Sequence, residues 1–199
     1  MKKILLIFIS IVLILIVTGC GKGKNDKSSI AYLKDLKSYT TDMSIEVKNN
    51  KQKLDYSGRQ MYFLGLGYRL ELNNQRVLIY KDDKIYITDL QNGNKYITDM
   101  NFDDVYKISF LGNFIDLLYT NERIKTSYKT VNGKKYELIN TDMPDSNRNI
   151  SHGILYVDVN KKIPQKLVVY DIKENEKFIV NYKNFVPNCS VDKSLFRVN

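Results

Sequence analysis

Two cysteines, one histidine and a few acid pairs are what this chain of 199 residues offers for chemistry. Cys20 has the most specific surroundings. Lys2 and Lys3 precede an apolar run from Ile4 to Val17 broken only by Ser10, and Val17-Thr18-Gly19-Cys20 ends it. A helix that spans a bilayer needs about 20 apolar residues, so this run is short for a permanent anchor and right for the core of an export signal. The closing residues resemble the bacterial lipobox: an aliphatic residue, two small ones that let a peptidase close on the backbone, and a thiol nucleophilic enough to take diacylglycerol as a thioether. The expectation is a signal peptide over residues 1–19 and a lipid on Cys20. Two acyl chains hold a protein stably at a membrane where one holds it only marginally. Residues 20–27 are polar and glycine-containing, a flexible tether, and their three lysines suit anionic headgroups.

The other reactive groups lack partners in sequence. With Cys20 lipidated, Cys189 stands alone, so no internal disulfide forms, and a buried thiol is the default reading. His152 lies in Ser151-His152-Gly153 at a strand start, the setting of a surface turn. Asp103 and Asp104 head an apolar helical stretch, where carboxylates suit the helix dipole better than acid–base work. There is no HExxH, no paired-cysteine metal motif, no glycine-rich phosphate loop and no nucleophile elbow. The chain therefore reads as non-enzymatic, with no cofactor and no metal. The formal charge of +9 falls to +7 once Lys2 and Lys3 leave with the signal. The charges are scattered, without the basic, aromatic-interleaved stripe of a nucleic-acid binder, so an anionic membrane or wall is the better electrostatic partner.

The elements that must position these groups are mostly strands. Ser28 to Leu36 reads as a helix with Ser28 as its cap. Thr41, Met43, Ile45 and Val47 then alternate with polar residues, one face buried and one wet. Strand runs follow at 52–62, 68–72, 76–81, 84–89 and 95–98, separated by Asn73-Asn74, Asp82-Asp83 and Asn92-Gly93 turns. Residues 101–120 carry Phe110, Leu111, Phe114, Ile115 and Leu118 at helical spacing, a lid broken at Gly112. Strands resume at 123–131, turn through Asn132-Gly133 into 134–140, and close with 153–159, 163–172 and 177–185. Residues 28–199 thus form one domain of α+β class, mainly β. Its single antiparallel sheet of about eleven strands is curled into an unclosed β-barrel and capped by helices.

Two closing strands are apolar on both faces. A sheet with one wet face should not be, so Leu155, Val157, Val168 and Tyr170 are candidates for an interface. Unpaired sheet edges and the polar loop 141–151 also allow a homodimer in which the last three strands exchange.

Several stretches carry a resemblance: Tyr68-Arg69-Leu70-Glu71-Leu72, then Val77-Leu78-Ile79-Tyr80-Lys81-Asp82-Asp83-Lys84-Ile85-Tyr86-Ile87, then Ile163-Pro164-Gln165-Lys166-Leu167-Val168-Val169-Tyr170-Asp171. Asn181-Tyr182-Lys183-Asn184-Phe185 and Ser194-Leu195-Phe196 complete it. With the export signal, they make the chain similar to the LolA/LolB/LppX-like lipoprotein superfamily, whose fold is an unclosed barrel under helices. Asp83 stands where the family usually has glycine, and its frequent tryptophan is absent. Size, composition and lipobox are most similar to clostridial spore-germination lipoproteins. That likeness implies an exported protein, lipid-anchored at the forespore or cell envelope of a Gram-positive spore former. It also implies that the chain binds and supports a cortex-modifying N-acetylmuramoyl-L-alanine amidase. The alternative is a carrier holding a lipid or lipoprotein acyl chain in the half-barrel. Fifteen Tyr and eight Phe tend to fill such a groove, which favours the partner reading.

Overall fold

The computed structural model describes residues 28–48, 52–103, 105–144 and 147–198. The expected signal peptide, Cys20 and tether lie outside these residues, as does Asp104. Eleven strands form one antiparallel sheet: β1 Ser38–Lys48, β2 Lys53–Phe63, β3 Gly67–Leu72, β4 Arg76–Lys81, β5 Lys84–Asp89, β6 Lys95–Asp99, β7 Lys125–Val131, β8 Lys134–Asp142, β9 His152–Asp158, β10 Pro164–Tyr170 and β11 Glu176–Pro187. Their order is β6-β5-β4-β3-β2-β1-β11-β10-β9-β8-β7. The chain lays down its first six strands outward from β1. It then crosses over through the lid and returns inward until β11 pairs with β1, from Tyr39 opposite Pro187 to Val47 opposite Phe178. The first and last strands are thus the sheet's centre, and among the described residues β6 and β7 are its edges and do not pair with each other, so the barrel stays open.

Tight turns set the registers. Asn73 and Asn74, Asp82 and Asp83, and Asn132 and Gly133 all have positive φ, as two-residue hairpins matched to the sheet's right-handed twist require. Asp83 therefore occupies a left-handed position at φ 58° that glycine would fill without steric cost.

The helices cover one face. In α1 (Ser29–Lys34) the Ser28 hydroxyl accepts from the Ala31 amide at 3.2 Å, capping the first turn. The lid is a 3₁₀ turn, Met100–Phe102, followed by α2 (Tyr106–Ser109) and α3 (Leu111–Thr120). Its break falls at Phe110, which is extended, and not at Gly112, which lies inside α3. Gly112 is needed for a different reason: a β-carbon there would run into the hydroxyl end of Tyr68. A second 3₁₀ turn, Lys193–Phe196, closes against β3, where the Arg69 guanidinium donates to the Leu195 carbonyl at 3.1 Å.

The core lies between lid and sheet. Met43, Ile45, Leu70, Ile139, Leu155, Val157, Leu167, Val169 and Val180 meet Phe110, Leu111, Phe114, Ile115 and Leu118 there. Each such side chain contributes roughly 1.5–3 kcal/mol when fully buried.

Candidate functional site

A polar knot holds the lid in place. Ser109 and Gln60 are both completely buried. The Gln60 amide nitrogen donates to the Ser109 carbonyl at 3.0 Å and to its hydroxyl at 2.9 Å, and the Tyr182 hydroxyl donates to the same carbonyl at 2.9 Å. Tyr39 donates to the Gln60 amide oxygen at 3.2 Å. The carbonyl freed by the break at Phe110 is thereby satisfied in the interior. Burial pushes the hydroxyls of Tyr39 and Tyr182 well above their ordinary range, so both remain protonated donors.

A ladder of rings fills one half of the groove. Phe185 stacks on Tyr39, Tyr39 packs against Tyr62, and Tyr62 stacks on Tyr68. Tyr68 and Tyr80 then meet Phe110 of the lid at 4.6 and 4.7 Å between ring centres. Much of the aromatic surplus of the sequence goes here, ring packed on ring from β11 to the lid.

The other half stays open. Between the lid and the loop joining β8 to β9 lies a cavity of about 500 Å³, with Met100, Ile108, Phe114, Leu117, Met143, Pro144 and Ile150 as its apolar wall. Asn101, Asp103, Lys107, Asn113, Asn147 and Asn149 stand among them. Leu117, Met143 and Pro144 also line a neighbouring hollow of about 460 Å³ that runs on towards Asn121, Arg123 and Asp142. Volumes of this order accept a small ligand or part of a chain-like one. Local bonds tie parts of the wall together. The Asn147 side-chain oxygen accepts from the amides of Asn149 and Ile150, and the Asn113 side chain donates to the Lys107 carbonyl at 2.7 Å. Gly153 lets Phe114 and Met143 close over β9, since a β-carbon there would stand 3.0 Å from the Met143 sulfur.

The chemistry available is that of binding. Asp103 is occupied: one carboxylate oxygen accepts from the amides of Val105 and Tyr106 at 3.0 and 2.8 Å, and the other accepts from the Tyr80 hydroxyl at 2.7 Å. It is a capping residue tied to the sheet. Among the described residues no group of three or more His, Cys, Asp or Glu side chains is placed to hold a metal. His152 is the first residue of β9 rather than part of a surface turn: its side chain, 15% exposed, stacks on Tyr170 at 5.1 Å and lies 3.6 Å from Glu174 on the face away from the lid. Cys189 is a free thiol, partly exposed where burial was expected, because it follows the end of β11 outside the core.

The five lid residues expected from the helical spacing, Phe110, Leu111, Phe114, Ile115 and Leu118, are all buried. The four interface candidates divide between the faces. Leu155 and Val157 belong to the core beneath the lid, whereas Val168 and Tyr170 share the opposite face with Ile154 and Tyr156. Val168 is nevertheless fully buried, in a face where the Lys166 ammonium lies over Tyr156 and Tyr136 meets Tyr156 edge-on. Met100, Ile108, Leu117, Met143 and Ile150 escape pattern reading because they come from three separate segments. The local signal is Met143-Pro144, an apolar pair that, with Ile150, interrupts a polar loop.

A family description matches residues 1–196, that of the YdcC-like sporulation proteins. The chain belongs to this family. No curated protein matches it. Among solved structures, an uncharacterised conserved protein from Thermus thermophilus is 8% identical, with 83% of this chain and 88% of that one covered at a TM-score of 0.53. The structure of the CwlD amidase from Clostridioides difficile in complex with the GerS lipoprotein contains a chain 24% identical, with 78% and 89% covered at a TM-score of 0.50. At such identities these likenesses establish the fold. The unclosed, helix-capped sheet of this YdcC-like protein is the architecture that the LolA/LolB/LppX-like resemblance implies.

Proposed function

We propose that this YdcC-like protein is a non-enzymatic envelope lipoprotein of sporulation, anchored by diacylglycerol on Cys20, that holds an apolar chain in the cleft between its lid and the 143–151 loop. The observation that carries this reading is the cleft: about 500 Å³ with a mostly apolar wall, beside a part of the groove where aromatic rings pack on one another. Met100 and Met143 give that wall adaptable side chains, which suits flexible acyl groups. The asparagines and Lys107 at its polar side would meet a headgroup or ester.

The test is to purify the protein from its sporulating host and extract it for lipid mass spectrometry, beside a Leu117→Trp variant that fills the cleft. Lipid at near-equal molar amount in the wild type and lost in the variant supports carriage. Wild-type protein free of lipid sinks it.

A second reading is that the chain binds and supports a cell-wall amidase in the forespore envelope. The likeness to the structure of CwlD with GerS favours it, as does the apolar content of the face away from the lid, with Ile154, Tyr156 and Tyr170 half-exposed on it. A stoichiometric amidase recovered with the same preparation, and lost on Tyr170→Asp, would support this reading. Of the four interface candidates, Tyr170 is the one a partner reaches without unpacking the core.

A further inference from the structure

The β7–β8 hairpin lies at an edge of the sheet beyond the cover of the lid. Every residue of β7 is exposed, so both faces of this edge strand are in water, and Lys134 and Lys135 continue the exposure into β8. From Lys125 to Tyr136 the hairpin carries Lys125, Lys129, Lys134 and Lys135 and not one carboxylate. The neighbouring turn adds exposed Lys161, because the Val159 amide donates to the Lys135 carbonyl at 3.1 Å and holds the two turns side by side. The nearest acid in that turn, Asp158, is buried, with its carboxylate accepting from the amides of Asn160 and Lys161. Two apolar groups stand among the lysines: Tyr128 is 61% exposed, and Val131 at the tip is 38% exposed. The Lys135 ammonium lies 4.8 Å from the Tyr128 ring centre.

Exposed tyrosine and an apolar tip ringed by lysine make a combination that water serves poorly and a phospholipid headgroup layer serves well. Tyrosine favours the interface, and each lysine is drawn to anionic lipid. An acidic protein surface would account for the lysines but would cover one face of the strand. Here both faces of β7 are exposed along its whole length. We propose that the β7–β8 hairpin seats on the anionic phospholipid surface to which the protein is tethered. This rests on the reading of Cys20 as the lipid anchor. The residues from Cys20 to Ser28, even fully extended, reach roughly 30 Å, so the domain cannot leave the neighbourhood of the bilayer. The tether thus keeps the lysine cluster close to the layer, about 8 Å deep at physiological salt, where surface charge acts.

The test uses the full chain, processed in its host, with Cys189→Ser and a fluorophore on Thr130→Cys in the hairpin. Mass spectrometry of the N-terminal peptide first reports whether Cys20 carries lipid. The protein is then placed with vesicles of phosphatidylcholine alone or mixed with phosphatidylglycerol, and quenching by aqueous iodide is read. The expected result on the anionic vesicles is quenching reduced about twofold or more, restored by salt near 1 M, where screening acts within about 3 Å. The same restoration is expected in the variant Lys129→Gln, Lys134→Gln, Lys135→Gln, Lys161→Gln, with the unfolding midpoint unchanged. Equal quenching on both vesicle types, with lipid on Cys20, overturns the proposal and leaves the anchor standing. Protection on anionic vesicles without lipid on Cys20 supports the hairpin and removes the anchor. Protection that arises only on adding a protein partner overturns it in favour of a protein surface.

Discussion

Asp171 shows how much one side chain can do in a turn. Partial burial pushes its carboxyl up, but donors outweigh this and hold it at about 2: the Asn175 side chain and amide, the Lys173 amide and the Lys177 ammonium. In the unfolded chain an aspartate titrates near 4. The folded value is the lower one, so the stabilisation is complete above about pH 4 and is lost as pH falls towards 2. Urea midpoints taken from pH 5 to pH 2 should fall more steeply for the wild type than for Asp171→Asn. Parallel curves would mean that the β10–β11 turn holds without the charge. Gly112 makes the opposite case, where the missing side chain matters. Alanine there gains up to about 1 kcal/mol in helix propensity. It must also displace Tyr68, which is clamped between Tyr62 and Phe110, and overpacking of this kind costs about 1–3 kcal/mol. Gly112→Ala should therefore destabilise by roughly 1–2 kcal/mol in chemical denaturation, and a neutral or stabilising result would show that Tyr68 moves freely.

At the scale of elements, the strands were legible and the lid only half so. Alternation such as Met43, Ile45 and Val47 sets which side faces inward, and Asn73-Asn74, Asp82-Asp83 and Asn132-Gly133 make tight turns, whereas Asn92-Gly93 lies in a five-residue loop with only the glycine at positive φ; strand limits read from sequence fall within a few residues of the real ones. The lid's apolar spacing also reads correctly, but the position of its break does not. Glycine is the conspicuous helix-weakening residue, yet the break follows Ser109, whose carbonyl is claimed by Gln60 and Tyr182 from strands far away in sequence. Non-local bonds of that kind leave no periodic trace. Their weight is measurable. Gln60→Leu takes the acceptor from the buried Tyr39 hydroxyl and one donor from Ser109, which keeps Tyr182 at its carbonyl, and should cost about 1–3 kcal/mol. Hydrogen exchange should quicken across residues 106–120 before it does so in the β1–β11 pair. Uniform quickening would show that the lid unfolds only with the sheet.

For the whole molecule, the two roles proposed for the loop between β8 and β9 compete. Met143, Pro144, Asn147, Asn149 and Ile150 wall the cleft, and the loop is also the hinge about which β9, β10 and β11 would have to swing to exchange with a second copy. Exchange could preserve every strand pairing, since β9 would find an identical β8 and β11 an identical β1. It could not preserve the turn in which Asn147 gathers Asn149 and Ile150, because the loop would have to extend between two bodies. The proposed strand-exchanged dimer and the proposed cargo-bound state therefore exclude one another in the same chain, and cargo should favour the monomer by mass action. Light scattering at micromolar concentration should find lipid-bearing protein monomeric, with dimer rising as lipid is stripped. A dimer that retains its full complement of lipid would show that the loop is not the hinge, and would direct attention to the bare edges β6 and β7 as the site of self-association.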